Sequence, residues 1–511
     1  MERSASSNVP ITEKLGYGLG DAAANLVWRG VMAFAAAFYT DTLGIGAAAA
    51  ATLMLVVRLS DGITDIIMGM IADRTRSKHG RFRPWILWSA PFLGIFMALT
   101  FTAPDVSPGV KLVWAYFTYI GLTLAYTVNN VPYSALMGVM TPSHLERTSL
   151  AGFRFAGAFL GGMLVTAFTP KLIAYFGGGN DVQGYKYTFY VYAVLIVVFC
   201  SITFFTTRER VSEPVASSGG ESSWEFLKSI LAMCIPLCAM SYFAVQQDLV
   251  SGAIFAVTLV ITIIVVKRFI AKPESETTRS QRDLIDLITN KPWLLVIGLG
   301  LLTMFFNGVR TSTTVYYFTR YMGDAQLAGS FFFVVMTAAM VAALTAGFLT
   351  RLLGKKLLFG ISLVGSGAFS CLIMVAGPED VMLVFVLGAV VEFFAAYMPV
   401  LAFSMLGDAA DYSEWKSGRR ATGLFFSAGT FIQKLGNGFA GALVLLVLAS
   451  AGYVGTDAAT YEAAKPAIVA LMSWVPALFA FAGVGILLIY PLNTERMVSI
   501  EADLTHRRSN L

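Results

Sequence analysis

The stretch RLSDGITDIIMGMIADRTRSKHGRFRPW (58–85) decides how the rest of the chain is read. Up to Ala72 it is the second part of an apolar run that begins near residue 48, long enough to cross a bilayer as a helix. From Asp73 onward it is polar and basic, with Arg74, Arg76, Lys78, Arg81 and Arg83. Lys and Arg gather in the cytoplasmic loops of membrane proteins, so this helix is expected to end in the cytoplasm. Inside the apolar part stand Arg58, Asp61 and Asp65, and the two acids are one turn apart on one helix face. A charge at the bilayer centre costs about 2.5–3.5 kcal/mol on insertion scales, so such residues face a cavity or a partner. Two carboxylates this close repel at low dielectric and ionise together only beside a cation. Oxygen ligands at this spacing suit Na⁺, or one carboxylate can hold a proton. The competing reading is a structural network in which Arg58 pairs with Asp61.

Composition extends this reading to the whole chain. Of 511 residues, 57% are hydrophobic and only 13% charged, about half the charge a soluble protein of this size carries. That excludes a soluble enzyme, a nucleic-acid binder and a disordered chain. Apolar windows fall at 18–43, 48–72, 84–104, 111–138, 150–175, 187–206, 226–246, 250–270, 293–318, 325–350, 356–376, 380–404, 421–450 and 466–491. The expected fold class is therefore an all-α polytopic membrane protein with about 14 transmembrane helices. Basic residues concentrate in 73–83, 267–291, 351–356 and 416–420, while 44–47 and 247–249 have none, which puts both termini in the cytoplasm. The polar N-terminus has no signal-peptide pattern, so the first helix directs insertion.

Two polar stretches, 207–225 and 271–292, bracket the windows 226–246 and 250–270. The expected organisation is a six-helix bundle over 1–209, a central linker with an inserted helix hairpin over 210–290, a second six-helix bundle over 291–491, and a cytoplasmic tail over 492–511. The halves repeat weakly: Gly69-x-x-x-Asp73 and Gly347-x-x-x-Arg351 close their second helices, and HLERTSLAGFR parallels SGRRATGLFFS. Parallel repeats suggest a transporter with its site at mid-membrane between them.

Other polar residues break the apolar windows. The first carries Asp21, Asn25 and Arg29 on one face, as a cavity lining or as an internal Asp21–Arg29 ion pair. The fourth carries Thr123, Thr127, Asn130 and Ser134 along a stripe that either lines a site or glues helices together. Arg154 lies in the fifth window; Thr430, Gln433, Lys434 and Asn437 share a face of the thirteenth. Arg310 and Glu392 also lie at membrane depth, as salt-bridge halves or functional groups. The three histidines fall in loops or the tail, and the four cysteines have no disulfide or zinc spacing. No phosphate loop and no nucleophile–base set is present, so no catalytic residue and no cofactor is expected, and energy must come from an ion gradient.

The stretches 13–28, 58–85, 126–136, 152–157, 316–324 and above all GDAADYSEWKSGRRATG (407–423) resemble the glycoside–pentoside–hexuronide:cation symporters of the major facilitator superfamily. The resemblance implies the major facilitator fold and a coupling-cation site (Na⁺ or H⁺) at Asp61, Asp65 and Thr127. Thr64 stands where a close family member has a liganding asparagine. It implies a substrate site at Asn25, Asn130, Ser134, Arg154, Gln433 and Lys434. Asparagines replace sugar-binding aspartates at 25 and 130, which raises positive charge and makes an anionic hexuronide plausible beside a neutral glycoside. The expected function is cation-coupled symport of a sugar, glycoside or hexuronide by alternating access in a bacterial inner membrane. The partners are thus that substrate, the cation and membrane lipid, with no nucleic acid. Asp21, Arg29, Arg58, Asp73, Arg74, Arg310, Glu392, Asp408, Asp411, Glu414 and Arg420 are expected in the structural and gating charge network, with the Asp73–Arg74 and Asp408–Arg420 loops pairing across the halves. Rival readings are a lysolipid transporter of the same fold, and a membrane receptor or enzyme.

Overall fold

The computed structural model describes residues 8–211, 249–271, 277–324, 326–419, 421–453 and 460–509, with only part of the side chains in 47–63 and 249–280. The side chains of Arg58 and Asp61, together with Arg420 and the window 226–246, lie outside the described residues. Among the described residues the chain is helical throughout, without a strand. Six long helices come first: α1 (Ile11–Ala37), α2 (Ala47–Arg74), α3 (Arg83–Thr100), α4 (Pro108–Met140), α5 (His144–Gly177) and α6 (Asp181–Thr206). Then come α7 (Leu249–Ile270) and the short α8 (Arg279–Thr289). The second half contains α9 (Lys291–Tyr316), α10 (Gln326–Leu353), α11 (Lys355–Leu372), α12 (Val381–Ala395), α13 (Tyr397–Ser417), α14 (Thr422–Ser450), α15 (Tyr461–Met472) and α16 (Trp474–Leu488). A last helix, α17 (Thr494–Ser509), follows. Among the described residues, nine helical spans are long and apolar enough to cross a bilayer.

Two windows read as single helices are each two helices end to end. Pro399 and Pro476 sit in the first turns of α13 and α16, where a missing N–H is tolerated, but neither can continue the preceding helix. The polar segment 271–292 also holds more order than its composition suggests. Thr278 and Gln281 form a reciprocal capping box at the start of α8, Leu287 is buried, and Asp286 meets Arg419 at 2.8 Å.

The halves repeat one another in backbone detail. Both α1 and α9 run into one π-helical turn, Phe38–Thr42 and Tyr317–Tyr321. Leu43 N–H donates to the Phe38 carbonyl at 2.8 Å, and Met322 N–H to Tyr317 at 3.0 Å. Gly44 and Gly323 then turn the chain at φ +77° and +79°, values that an L side chain rarely adopts.

Lipid tails are as apolar as leucine, so close backbone approach, rather than the hydrophobic effect, holds membrane helices together. Between α1 and α5 this approach is made by Gly18, Gly157 and Gly161: a Cβ at Gly157 would fall onto the Gly18 carbonyl, and one at Gly161 would stand 2.5 Å from that of Ala22. Gly157→Leu should therefore overpack the first half by about 1–3 kcal/mol or more and lower the melting temperature of detergent-solubilised protein. An unchanged melting curve would show that α1 and α5 do not hold each other as described.

The halves meet across α2–α14, α4–α14, α5–α10 and α5–α13. Glycines again set the distance. A Cβ at Gly69 on α2 would stand 2.8 Å from the Gly423 carbonyl at the start of α14, and one at Gly347 on α10 would stand 2.9 Å from Ser149 at the start of α5. The two Gly-x-x-x motifs noted in the sequence are thus the mutual contacts of the repeats. They lie on the face that also carries the chain ends, where Lys14 meets Glu146 and His144 Nδ1 meets Glu501 at 2.8 Å. The tail segment forms helix α17, tied to α13 by Arg508–Glu414 at 2.5 Å and by Trp415 Nε1 donating to Asp503 at 2.9 Å.

Candidate functional site

Between the halves lies a cavity of about 580 Å³. From α1 it receives Asp21, Asn25 and Arg29, which the i, i+4, i+8 spacing places along one face. Tyr126 and Asn130 of α4 and Arg154 of α5 complete that wall. Facing them are Asn307, Glu392, Thr430, Gln433, Lys434 and Asn437 from α9, α12 and α14. Trp28 and Tyr126 stack with ring centroids 6.1 Å apart and give the wall a flat apolar plate.

The polar groups are not all available to a ligand. Arg154 Nε lies 3.4 Å from Asp21 Oδ2, its Nη2 donates to Ser134 Oγ at 3.0 Å, and its guanidinium covers the Phe403 ring at 4.4 Å. Asp21 therefore pairs with Arg154 rather than with Arg29. Ser134, expected to touch substrate, has no exposure and supports Arg154 from behind. Asn25 Nδ2 donates to the Asp21 carbonyl at 3.0 Å. Asn130 Oδ1 and Arg154 Nη1 are buried atoms without a hydrogen-bond partner among the described residues, and both residues line the cavity. Unsatisfied polar atoms in a burial of this kind are costly unless a ligand or water completes them.

Below the cavity stands Asp65, also with no exposure. Its Oδ1 accepts from Thr127 Oγ1 and from Lys434 Nζ, each at 2.9 Å, and Thr430 Oγ1 lies 3.5 Å from Oδ2. The carboxylate and two hydroxyls form a hard-oxygen donor set suited to Na⁺, and the carboxylate alone suits a proton. Lys434 crosses from α14 of the other half, and its ammonium lies 5.5 Å from the centre of the Tyr126 ring on the cavity wall. It therefore touches the acid and the cavity together. Thr64 is half-buried beside Asp65 in sequence but is not among the cavity-lining residues.

On the far wall Glu392 Oε2 meets Arg310 Nη1 at 3.4 Å. On the face of the chain ends the halves are joined by ion pairs. Arg147, without exposure, holds Asp411 at 2.5 Å and Asp408 at 3.0 Å, and Lys355 reaches Asp408 at 2.5 Å. Asp73 does cross between the halves, but it accepts from the backbone N–H groups of Gly423 and Leu424 at 2.7 and 2.9 Å, capping α14. Arg74 Nη1 donates to the Met70 carbonyl of its own helix at 3.1 Å. Arg420, the other expected member of these loops, lies outside the described residues, and Arg147 is not among the expected partners because its polar surroundings in HLERTS look like an ordinary solvated loop.

Paired helical halves around a polar, membrane-depth cavity, with an ion pair joining them beneath it, define a secondary transporter of the major facilitator architecture. The chain belongs to the family described as MFS/sugar transport protein, whose model matches residues 16–247 and 247–494. It is 32% identical over 480 residues to the inner membrane symporter YicJ of Escherichia coli K12, covering 93% of this chain and 90% of that one. It is 31% identical over 504 residues to the putative glycoside/cation symporter YagG of the same organism, covering 98% and 96%. The proton:xylose symporter XylE shares the fold, with a TM-score of 0.57 at 15% identity and coverage of 96% and 98%.

Proposed function

We propose that this chain is a cation-coupled symporter of a sugar or glycoside in a bacterial inner membrane, with both termini cytoplasmic. One observation carries the mechanism: the Asp65–Lys434 ion pair spans the two halves and touches the substrate cavity at one end. As folded, the lysine ammonium neutralises Asp65. A coupling cation, or a proton on Asp65, displaces that charge and frees Lys434 to donate hydrogen bonds into the cavity. Cation binding then raises substrate affinity, and by linkage substrate raises cation affinity by the same factor. Asn130, Arg154 and Gln433 supply further donors and acceptors for hydroxyls, and the Trp28–Tyr126 plate takes an apolar sugar face. Such a belt of amides and cations suits a polyol rather than an acyl chain. The chain-end face, closed by Arg147 and the glycine contacts, is the cytoplasmic one, so the cavity faces outward.

The test is uptake of radiolabelled methyl glycosides into proteoliposomes under an imposed Na⁺ or H⁺ gradient. Accumulation above the outside concentration is expected with one of the two ions. Mere equilibration under both would overturn the reading. Lys434→Gln should remove the cation dependence of glycoside binding and weaken that binding about tenfold or more, while cation affinity stays or rises because the competing ammonium is gone. Isothermal titration of each ligand with and without the other reads both effects, and an unaltered coupling factor would dismiss the lysine from this role.

A further inference from the structure

Among the described residues, three of the four cations in and beside the cavity are already matched. Asp21 meets Arg154 at 3.4 Å, Asp65 meets Lys434 at 2.9 Å, and Glu392 meets Arg310 at 3.4 Å. The fourth, Arg29, lines the cavity and makes no hydrogen bond or ion pair among the described residues. Glu392 is near enough to act on it electrostatically, but that carboxylate already serves Arg310. Two guanidiniums thus share one acid, and among the described side chains four cations stand against three acids in and beside the cavity.

A guanidinium at membrane depth without a counter-ion is costly, and an anionic ligand that completes it gains more than a neutral one. The guanidinium presents a planar fork of donors that matches a carboxylate or sulfonate with two parallel hydrogen bonds. Its place fixes the ligand's orientation. Trp28, the preceding residue on α1, holds the aromatic plate, and Asn130 and Arg154 with their unsatisfied polar atoms line the same cavity. A sugar ring against the plate thus shares one cavity with Asn130 and Arg154 for its hydroxyls and with Arg29 for an acidic substituent.

We infer that Arg29 is the substrate-charge selector of this transporter, receiving the acidic group of an anionic glycoside through its free guanidinium. Arg154, whose charge the sequence suggested for this role, is committed to Asp21, and Lys434 leaves Asp65 only when the coupling cation binds, so Arg29 is the guanidinium open to the cavity in both states. The inference rests on the symport reading above and narrows its substrate.

The experiment is equilibrium binding to the purified full-length protein, with saturating coupling cation, of three matched probes: methyl glucoside, methyl glucuronide and the methyl glycoside of 6-sulfo-6-deoxyglucose. Galactose-configured counterparts run in parallel. Wild type should bind at least one of the two acidic probes at least tenfold more tightly than its neutral counterpart, and the two acidic arms tell carboxylate from sulfonate. Arg29→Gln should collapse that preference at least tenfold through loss of the acidic probe, and Arg29→Lys should retain part of it. Tighter binding of the neutral probe by wild type overturns the assignment while leaving the symport reading intact. So does an Arg29→Gln variant that keeps the preference, or one that slows transport of acidic and neutral probes equally, which marks Arg29 as a gate partner of Glu392. A wild-type protein that binds none of the probes and moves no cation with them removes both readings together.

Discussion

Asp65→Asn should abolish uphill accumulation of glycoside while leaving exchange across the membrane without a gradient measurable. The carboxylate is wholly buried and accepts from Thr127 and Lys434 at 2.9 Å each. An amide keeps the shape and still accepts from Thr127, but it has no charge to hold a cation or proton. It also takes from Lys434 the carboxylate it meets at 2.9 Å, and breaking one side of a buried ion pair costs about 3–5 kcal/mol. With no charge at position 65 to take the driving ion, glycoside should only equilibrate with its outside concentration under either gradient. Counterflow with equal cation on both sides isolates the rocking motion from the coupling, and it should fall far less. Uphill uptake that survives the substitution would place the coupling ion elsewhere.

Asp65 was legible in the sequence because an acid inside an apolar run has few explanations. What held it was not. Lys434 lies 369 residues away and Arg154 lies 133 residues from Asp21, so each pairing is a product of tertiary packing that no local period encodes. Helix spacing placed Thr127, Asn130 and Ser134 along one stripe but could not show that Ser134 is covered by Arg154 while Asn130 stays open to the cavity. The fold read more easily, since length and hydropathy mark a spanning helix directly. The exceptions are informative: α8 and α17 are short and amphipathic, so averaging over a window hides them, and the breaks before Pro399 and Pro476 fall inside apolar runs where hydropathy is blind to a missing N–H.

Arg147→Ala should open the face that this structure holds shut. The guanidinium has no exposure and stands between Asp411 at 2.5 Å and Asp408 at 3.0 Å, tying α5 of one half to α13 of the other. Lys355 still covers Asp408 at 2.5 Å after the substitution, so the loss falls chiefly on Asp411, which gives up its 2.5 Å pair with Arg147. Removing one partner of a buried ion pair costs about 3–5 kcal/mol, and the cost falls on the closed state alone, because separation of the halves lets water reach both acids. A bias of that size moves a two-state equilibrium by more than 100-fold. Spin labels at Arg76→Cys and Lys416→Cys, exposed on opposite halves, should report a longer distance in the variant. Adding Asp411→Asn should restore part of the short distance, since the amide needs no cation, and that recovery separates electrostatic release from simple loss of packing. An unaltered distance distribution in Arg147→Ala would mean that the interdigitated glycines at Gly69 and Gly347 and the Arg351–Glu146 pair, rather than Arg147, hold the halves together at this end.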